Sequence, residues 1–178
     1  MSKVQQLLQL ARQQIGVAEN PAGSNNVKYN TAYYGREVSG GSYSWCAVFV
    51  WWCMREIGCS DLYYNGDKTA YVPALLSWAK SKGLTVKDPE PGDWILFDWE
   101  PNGSPNHIGI VEEVSSSTVT TIEGNSSDKV QRKTYNRDKA VMAYIRPAWP
   151  ADQAEPDPQY VTRGELRSML QSLLDQLQ

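Results

Sequence analysis

Residues 44–50, Ser-Trp-Cys-Ala-Val-Phe-Val, place a cysteine at the start of an apolar run. The run from Cys46 to Ile57 reads as a buried helix ended by Gly58. A thiol in that position meets the positive end of the helix dipole and backbone N–H groups that lack intrahelical acceptors. Both favour the thiolate, which is the nucleophilic form of cysteine. The chain has a single histidine, His107, in the strand-like Asn106-His107-Ile108-Gly109-Ile110-Val111. Thr118 to Glu123 follows it across Ser115-Ser116-Ser117, so the two stretches read as a hairpin. A short turn at 115–117 sets residue 107 opposite 123 or 124, and facing side chains on paired strands have Cβ atoms about 5 Å apart. Glu123 is then within reach of His107. A carboxylate on one imidazole nitrogen fixes the tautomer and supports the cation, leaving the other nitrogen for a thiol. Cys46, His107 and Glu123 together supply nucleophile, base and orienting acid. Asn125, just past the expected strand end, is placed to assist in orientation or ligand binding.

These groups need elements to hold them. Val4, Leu7, Leu8, Ala11 and Ile15 share one face of a helix over residues 3–15, ended by Gly16. Residues 20–34, rich in Pro, Gly, Asn and Tyr, read as a loop, and Gly40-Gly41-Ser42 is a flexible approach to the Cys46 helix. Pro73 begins a third helix, Ala74 to Lys82, stopped by Gly83. Pro91-Gly92-Asp93 is a turn into a strand at Trp94-Ile95-Leu96-Phe97, and Val141 to Ile145 forms a last strand. Helices first and antiparallel strands afterwards define an α+β domain over residues 1–149. Residues 150–160 have the Pro- and acid-rich composition of a linker. Residues 161–178 carry Leu166, Met169, Leu170, Leu173, Leu174 and Leu177 at helical spacing, an amphipathic helix expected to dock on the domain or to mediate self-association.

Composition narrows the function classes. With 41% hydrophobic and 21% charged residues in 178, the chain suits a water-soluble domain with a real core. No window is long and apolar enough for a membrane span, and the N-terminus lacks the pattern of a secretory signal. The net charge of −3 resides in residues 150–178, which leaves no basic stripe for nucleic acid. Three cysteines, an odd number, argue against a disulfide framework. Cys46 and Cys53, one helix apart by roughly 10 Å, are too distant to bridge. Cys53 and Cys59 read as buried small apolar residues, and the cysteine spacing with one distant histidine is poor for zinc. Ten Tyr and seven Trp against two Phe give rings with polar tips, suited to a half-wet groove. Tyr43, Trp45, Trp94 and Trp99 are candidates for its wall, with Trp99 expected to be exposed; Trp51 and Trp52 fall to the core.

At the motif level, Trp45-Cys46-Ala47-Val48-Phe49-Val50-Trp51-Trp52-Cys53 resembles the nucleophile motif of CHAP domains, the cysteine- and histidine-dependent amidohydrolases/peptidases related to NlpC-type and papain-like enzymes. Pro91-Gly92-Asp93-Trp94-Ile95-Leu96-Phe97 is similar to their first core strand, His107-Ile108-Gly109-Ile110-Val111 to the histidine strand, and Ile122-Glu123-Gly124-Asn125 to the acid and polar positions. The similarity covers roughly residues 3–147 in the family's order. It implies a papain-like fold with helices packed on a central antiparallel sheet, and hydrolysis of an amide bond in bacterial peptidoglycan. Cys46 would attack, His107 would act as base and then acid, and Glu123 would orient it. The backbone N–H of Cys46 would serve as an oxyanion donor. An endolysin, held in the host cytoplasm until holin-dependent release, is the expected type, with the N-acetylmuramoyl–L-alanine bond slightly favoured. Endopeptidase cleavage of the stem or cross-bridge, a non-catalytic wall-binding module and an interbacterial toxin are the alternatives. Some relatives bind calcium through an acidic N-terminal loop. Residues 20–34 here contain no Asp or Glu, so no metal or other cofactor is carried over.

Overall fold

The computed structural model describes residues 1–137, 140–150, 170, 171 and 174. The linker expected at 150–160 and the helix expected at 161–178 fall almost wholly outside these residues.

Ser2 starts α1 (Lys3–Gln14) with a capping box, its hydroxyl accepting from the Gln5 backbone and the Gln5 side chain reaching back to the Ser2 N–H. Leu7, Leu8 and Ala11 face the core as expected. Ile15 does not. The helix closes one residue early, Ile15 leaves helical geometry as the C-cap, and its side chain is 37% exposed. Gln14 is buried instead, its carbonyl oxygen accepting from Lys28 Nζ and the Tyr29 hydroxyl.

Part of the expected 20–34 loop is helical: α2 spans Lys28–Tyr34 and ends on Gly35 in the left-handed region. Seven residues are too few to form a helix by propensity. Burial of Tyr29 and Asn30 against the next helix supplies what the local sequence lacks. α3 (Cys46–Glu56) is buried on nearly every side, from Cys46 through Trp51 and again at Cys53 and Met54. That makes it the central helix of the fold. α4 (Val72–Ser81), with Pro73 in its first turn, matches the third expected helix within two residues.

Six strands follow: β1 (Thr85–Val86), β2 (Trp94–Phe97), β3 (His107–Val114), β4 (Thr118–Ser126), β5 (Lys129–Asn136) and β6 (Val141–Ile145). They form one antiparallel sheet in the order β1-β6-β2-β3-β4-β5, giving the α+β architecture. Two strands had no sequence reading. β1 is only two residues long, and β5 is an edge strand of mostly charged and polar residues in which Val130 alone is fully buried. Lysine-rich edges guard a sheet against further pairing but erase its hydrophobic signal.

The sheet separates two apolar clusters. On one face Trp94, Leu96, Ile108, Ile110, Ile122 and Ile145 pack with the helices. On the other, Ile95, Phe97, Val111, Val119 and Tyr144 form a smaller cluster. There the ring of Tyr135 on β5 lies 4.9 Å from that of Phe97 on β2, although β3 and β4 stand between them. Three strand spacings of a flat sheet would hold those positions roughly 14 Å apart. The sheet therefore curls around the second cluster. Two buried carboxylates fasten it: Glu112 accepts from Arg12 on α1 and Arg132 on β5, and Asp93 takes both arms of Arg146 just beyond β6.

Candidate active site

Cys46 is the first residue of α3 and His107 the first of β3, so two element starts meet at the site. Trp45 is the N-cap and offers no side-chain hydrogen bond to the helix, which leaves the leading backbone N–H groups untaken by a capping side chain. The Trp45 ring is held from elsewhere. Its Nε1 donates to the buried carboxylate of Glu19 at 2.7 Å, and Tyr29 stacks on it at 5.4 Å. The other oxygen of Glu19 accepts from the Asn25 N–H at 2.7 Å. Glu19 thus ties the start of α3 to the 19–26 segment, a role no feature of its local sequence announces.

Nε2 of His107 lies 2.9 Å from Oε2 of Glu123, and the Cys46 sulfur is the other hydrogen-bond partner of the ring. With Nε2 facing the acid, Nδ1 is left to the thiol. Burial disfavours the imidazolium, but hydrogen bonds to Cys46 and Glu123 and their charges outweigh it, lifting His107 to about 10. The imidazole is therefore a cation at neutral pH, beside the Cys46 sulfur.

The contact between His107 and Glu123 arises differently from the expected face-to-face pairing. β3 and β4 pair Ile110 with Ile122 and Val111 with Thr121. Continuing that register sets Gly109 opposite Glu123 and His107 opposite Asn125. A bulge at Glu112 shifts the pairing relative to a regular hairpin. Glu123 reaches His107 diagonally, across the space a side chain at residue 109 would fill. A Cβ added to Gly109 would stand 2.7 Å from Glu123 Cγ. Glu123 is itself buried and fully engaged: Thr121 Oγ1 donates to Oε1 at 2.5 Å, and the Tyr135 hydroxyl to Oε2 at 3.3 Å. Neither Thr121 nor Tyr135 stood out in the sequence. Thr121 could have been found two residues before the acid on the same strand face, but Tyr135 belongs to a strand with no sequence reading.

Gly124 is the second glycine that shapes the site. A Cβ there would come within 2.4 Å of Phe49 Cβ and 3.0 Å of Trp45 Cζ3. Its bare backbone lets α3 press against β4, which carries Cys46 to the histidine. Asn125, in the left-handed region at φ 55, donates from Nδ2 to Asn25 Oδ1 at 3.4 Å. Its amide thus braces the 19–26 segment.

The aromatic candidates divide. Trp45 and Trp94 are 0% exposed, so neither can line a groove, and the expectation for both is corrected by burial. Tyr43 is half-buried, its ring edge-on to Tyr34 at 5.1 Å. Trp99 is 40% exposed, stacked on Phe97 at 4.7 Å and near Tyr135 at 5.4 Å. Trp51 is buried and Trp52 half-buried, both in the core. Cys53 and Cys59 are buried free thiols, and burial pushes both above the ordinary thiol range, Cys53 furthest. Neither is a competing nucleophile. Among the described residues no helix is long and apolar enough to cross a membrane.

A family model for the CHAP domain matches residues 38–125, which hold Cys46, His107, Glu123 and Asn125. No curated protein matches the chain. Among solved structures, Ly7917 is 16% identical at a TM-score of 0.49, covering 81% of this chain and 62% of its own. A structure described as Ly7917 with the hydrolyzing product of MDP gives 17% identity at the same score and coverage. The wild type endolysin LysIME-EF1 gives 15% identity and a TM-score of 0.49, with 85% of this chain and 67% of its own covered. The chain thus spans about three fifths of the length of Ly7917.

Proposed function

From the match of residues 38–125 to the CHAP domain family model we propose a peptidoglycan hydrolase of endolysin type, cutting an amide bond through Cys46. The observation that carries this reading is the imidazole of His107 held between the Cys46 sulfur and the buried Glu123 carboxylate. In the proposed reaction the thiolate of Cys46 attacks the carbonyl carbon of the scissile amide. The resulting oxyanion is met by the backbone N–H at the start of α3. His107 passes its Nδ1 proton to the leaving nitrogen as the C–N bond breaks, leaving a thioester on Cys46. Neutral His107 then takes a proton from water as its oxygen attacks the thioester carbon. The acid is released and the thiolate–imidazolium pair restored. Glu123 keeps Nε2 engaged throughout, so that Nδ1 points at the reacting atoms.

The muramoyl–L-alanine bond is taken as the first candidate, with stem or cross-bridge peptide bonds as the alternative served by the same groups. The test is digestion of purified Gram-positive walls by wild type and Cys46→Ser, with products identified by mass spectrometry. Cys46-dependent release is expected. New lactyl-muramic termini identify an amidase, and new stem or bridge amines an endopeptidase. Release by Cys46→Ser at the wild-type rate removes Cys46 as nucleophile, and no release from walls of several chemotypes removes the peptidoglycan reading.

A further inference from the structure

Glu123 has a holder that lies far from it in sequence. Tyr135 reaches from edge strand β5 over the curled face of the sheet, and its hydroxyl donates to the same Oε2 that faces His107. Its ring is fixed by Phe97 at 4.9 Å and Trp99 at 5.4 Å, so the hydroxyl is aimed by packing. Burial, reinforced by the neighbouring Glu123 charge, raises the phenol well above the ordinary tyrosine range. Tyr135 stays protonated wherever the enzyme works and serves only as a donor to the carboxylate.

We propose that Tyr135 is a positioning residue of the active site, holding Glu123 at the distance that keeps the His107 imidazole aligned with Cys46. The proposal rests on the reading of Cys46, His107 and Glu123 as the catalytic set. Thr121 fixes one carboxylate oxygen and Tyr135 the other. With both in place Glu123 cannot swing away from Nε2. Without the phenol, Oε2 keeps only the imidazole, and the carboxylate can rotate about its bond to Thr121. Tyr135 also belongs to the stack whose outer ring, Trp99, is the most exposed of the site aromatics, which places the holder of the acid directly beneath a surface open to substrate.

Tyr135→Phe keeps the ring and its stacking and removes the hydroxyl alone. It is expected to lower kcat about fivefold with KM unchanged, since orientation of a base acts on the transition state and not on binding. A double-mutant cycle separates action through Glu123 from a general loosening. In a Glu123→Ala background the same substitution should cost no further activity. The single histidine of the chain permits a readout without substrate, because its imidazole signals in NMR are unambiguous. Loss of alignment should bring the His107 titration midpoint down from about 10 in Tyr135→Phe. An unchanged or higher midpoint overturns the proposal, as does an equal loss of kcat in both backgrounds. Because the titration needs no substrate, it decides on Tyr135 even if wild type fails to cut peptidoglycan.

Discussion

The chemistry at the residue scale turns on a histidine that is a cation under ordinary conditions. Its raised value has a sign that activity should report. The Cys46–His107 pair persists as pH climbs until the imidazolium loses its proton, so kcat/KM is expected to fall off only near pH 10. Glu123 is one of the groups lifting His107, so Glu123→Gln should move this alkaline limb to lower pH while keeping measurable activity. His107→Ala should cost far more. A pH profile of Glu123→Gln superimposable on wild type would remove the acid from the site. His107 contributes to folding with the same sign: its stabilisation is complete below the ordinary histidine value of 6.5 and fades as pH rises toward 10. What was legible at this scale was the meeting of Cys46, His107 and Glu123. Cysteine at a helix start, histidine on a strand and an acid on the next strand are rare types in a demanding order. What was illegible was burial. Trp45 and Trp94 have the composition of groove residues, yet one caps a helix against Glu19 and the other lies under α4 beside Trp78, at 6.5 Å between rings. Local sequence gives no means of telling these from Trp99.

At the scale of elements, two glycines in strands do what no side chain could. Both sit on extended backbone, so their value is space rather than conformation. Gly124→Ala would set a methyl against Phe49 Cβ, an atom rigidly attached to the α3 backbone. α3 must then back away from β4. A loss of about 2 kcal/mol in stability is expected from such overpacking, seen as a lower Tm, together with lower activity as Cys46 retreats. Gly109→Ala presses closest on Glu123 Cγ, a side-chain atom that can give way without moving backbone, but only by breaking the hydrogen bonds that hold the carboxylate. Here the expected outcome is the reverse balance, with activity reduced about tenfold and Tm lowered less than in Gly124→Ala. Equal Tm losses in the two variants would contradict the diagonal reach of Glu123 across Gly109. The helices α1, α3 and α4 and strands β2, β3, β4 and β6 were readable because each carries either a periodic apolar face or a continuous apolar run. α2 and β5 were not, because α2 is too short to form without Tyr29 and Asn30 buried beneath it, and β5 fully buries Val130 alone. The register of β3 on β4 was off because the turn closes on Val114 and Val119, later than a turn centred on the three serines would, and the bulge at Glu112 takes back only one residue of that offset.

One buried carboxylate acts on the whole molecule. Glu112 follows Ile108 and Ile110 along β3 and is 2% exposed between Arg12 on α1 and Arg132 on β5. Through one side chain the first helix, the middle of the sheet and its far edge are joined. The hydrogen bonds from Arg132, with those from Arg12, outweigh burial and hold Glu112 below its ordinary value of 4.5. A carboxyl group lowered in the folded state binds its proton more readily when unfolded, so stability gained from it is complete above about 4.5 and is lost as pH falls through the folded value. Glu112→Gln keeps the shape and removes the charge. At pH 7 the variant is expected to melt roughly 5 °C or more below wild type, because two guanidinium groups lose their shared anion. On acidification the wild-type Tm should fall toward that of the variant, whose own curve lacks this component, and the gap should narrow as pH drops below about 4.5. A gap that stays constant from pH 7 to pH 3 would mean that Glu112 holds these three elements by packing rather than by charge.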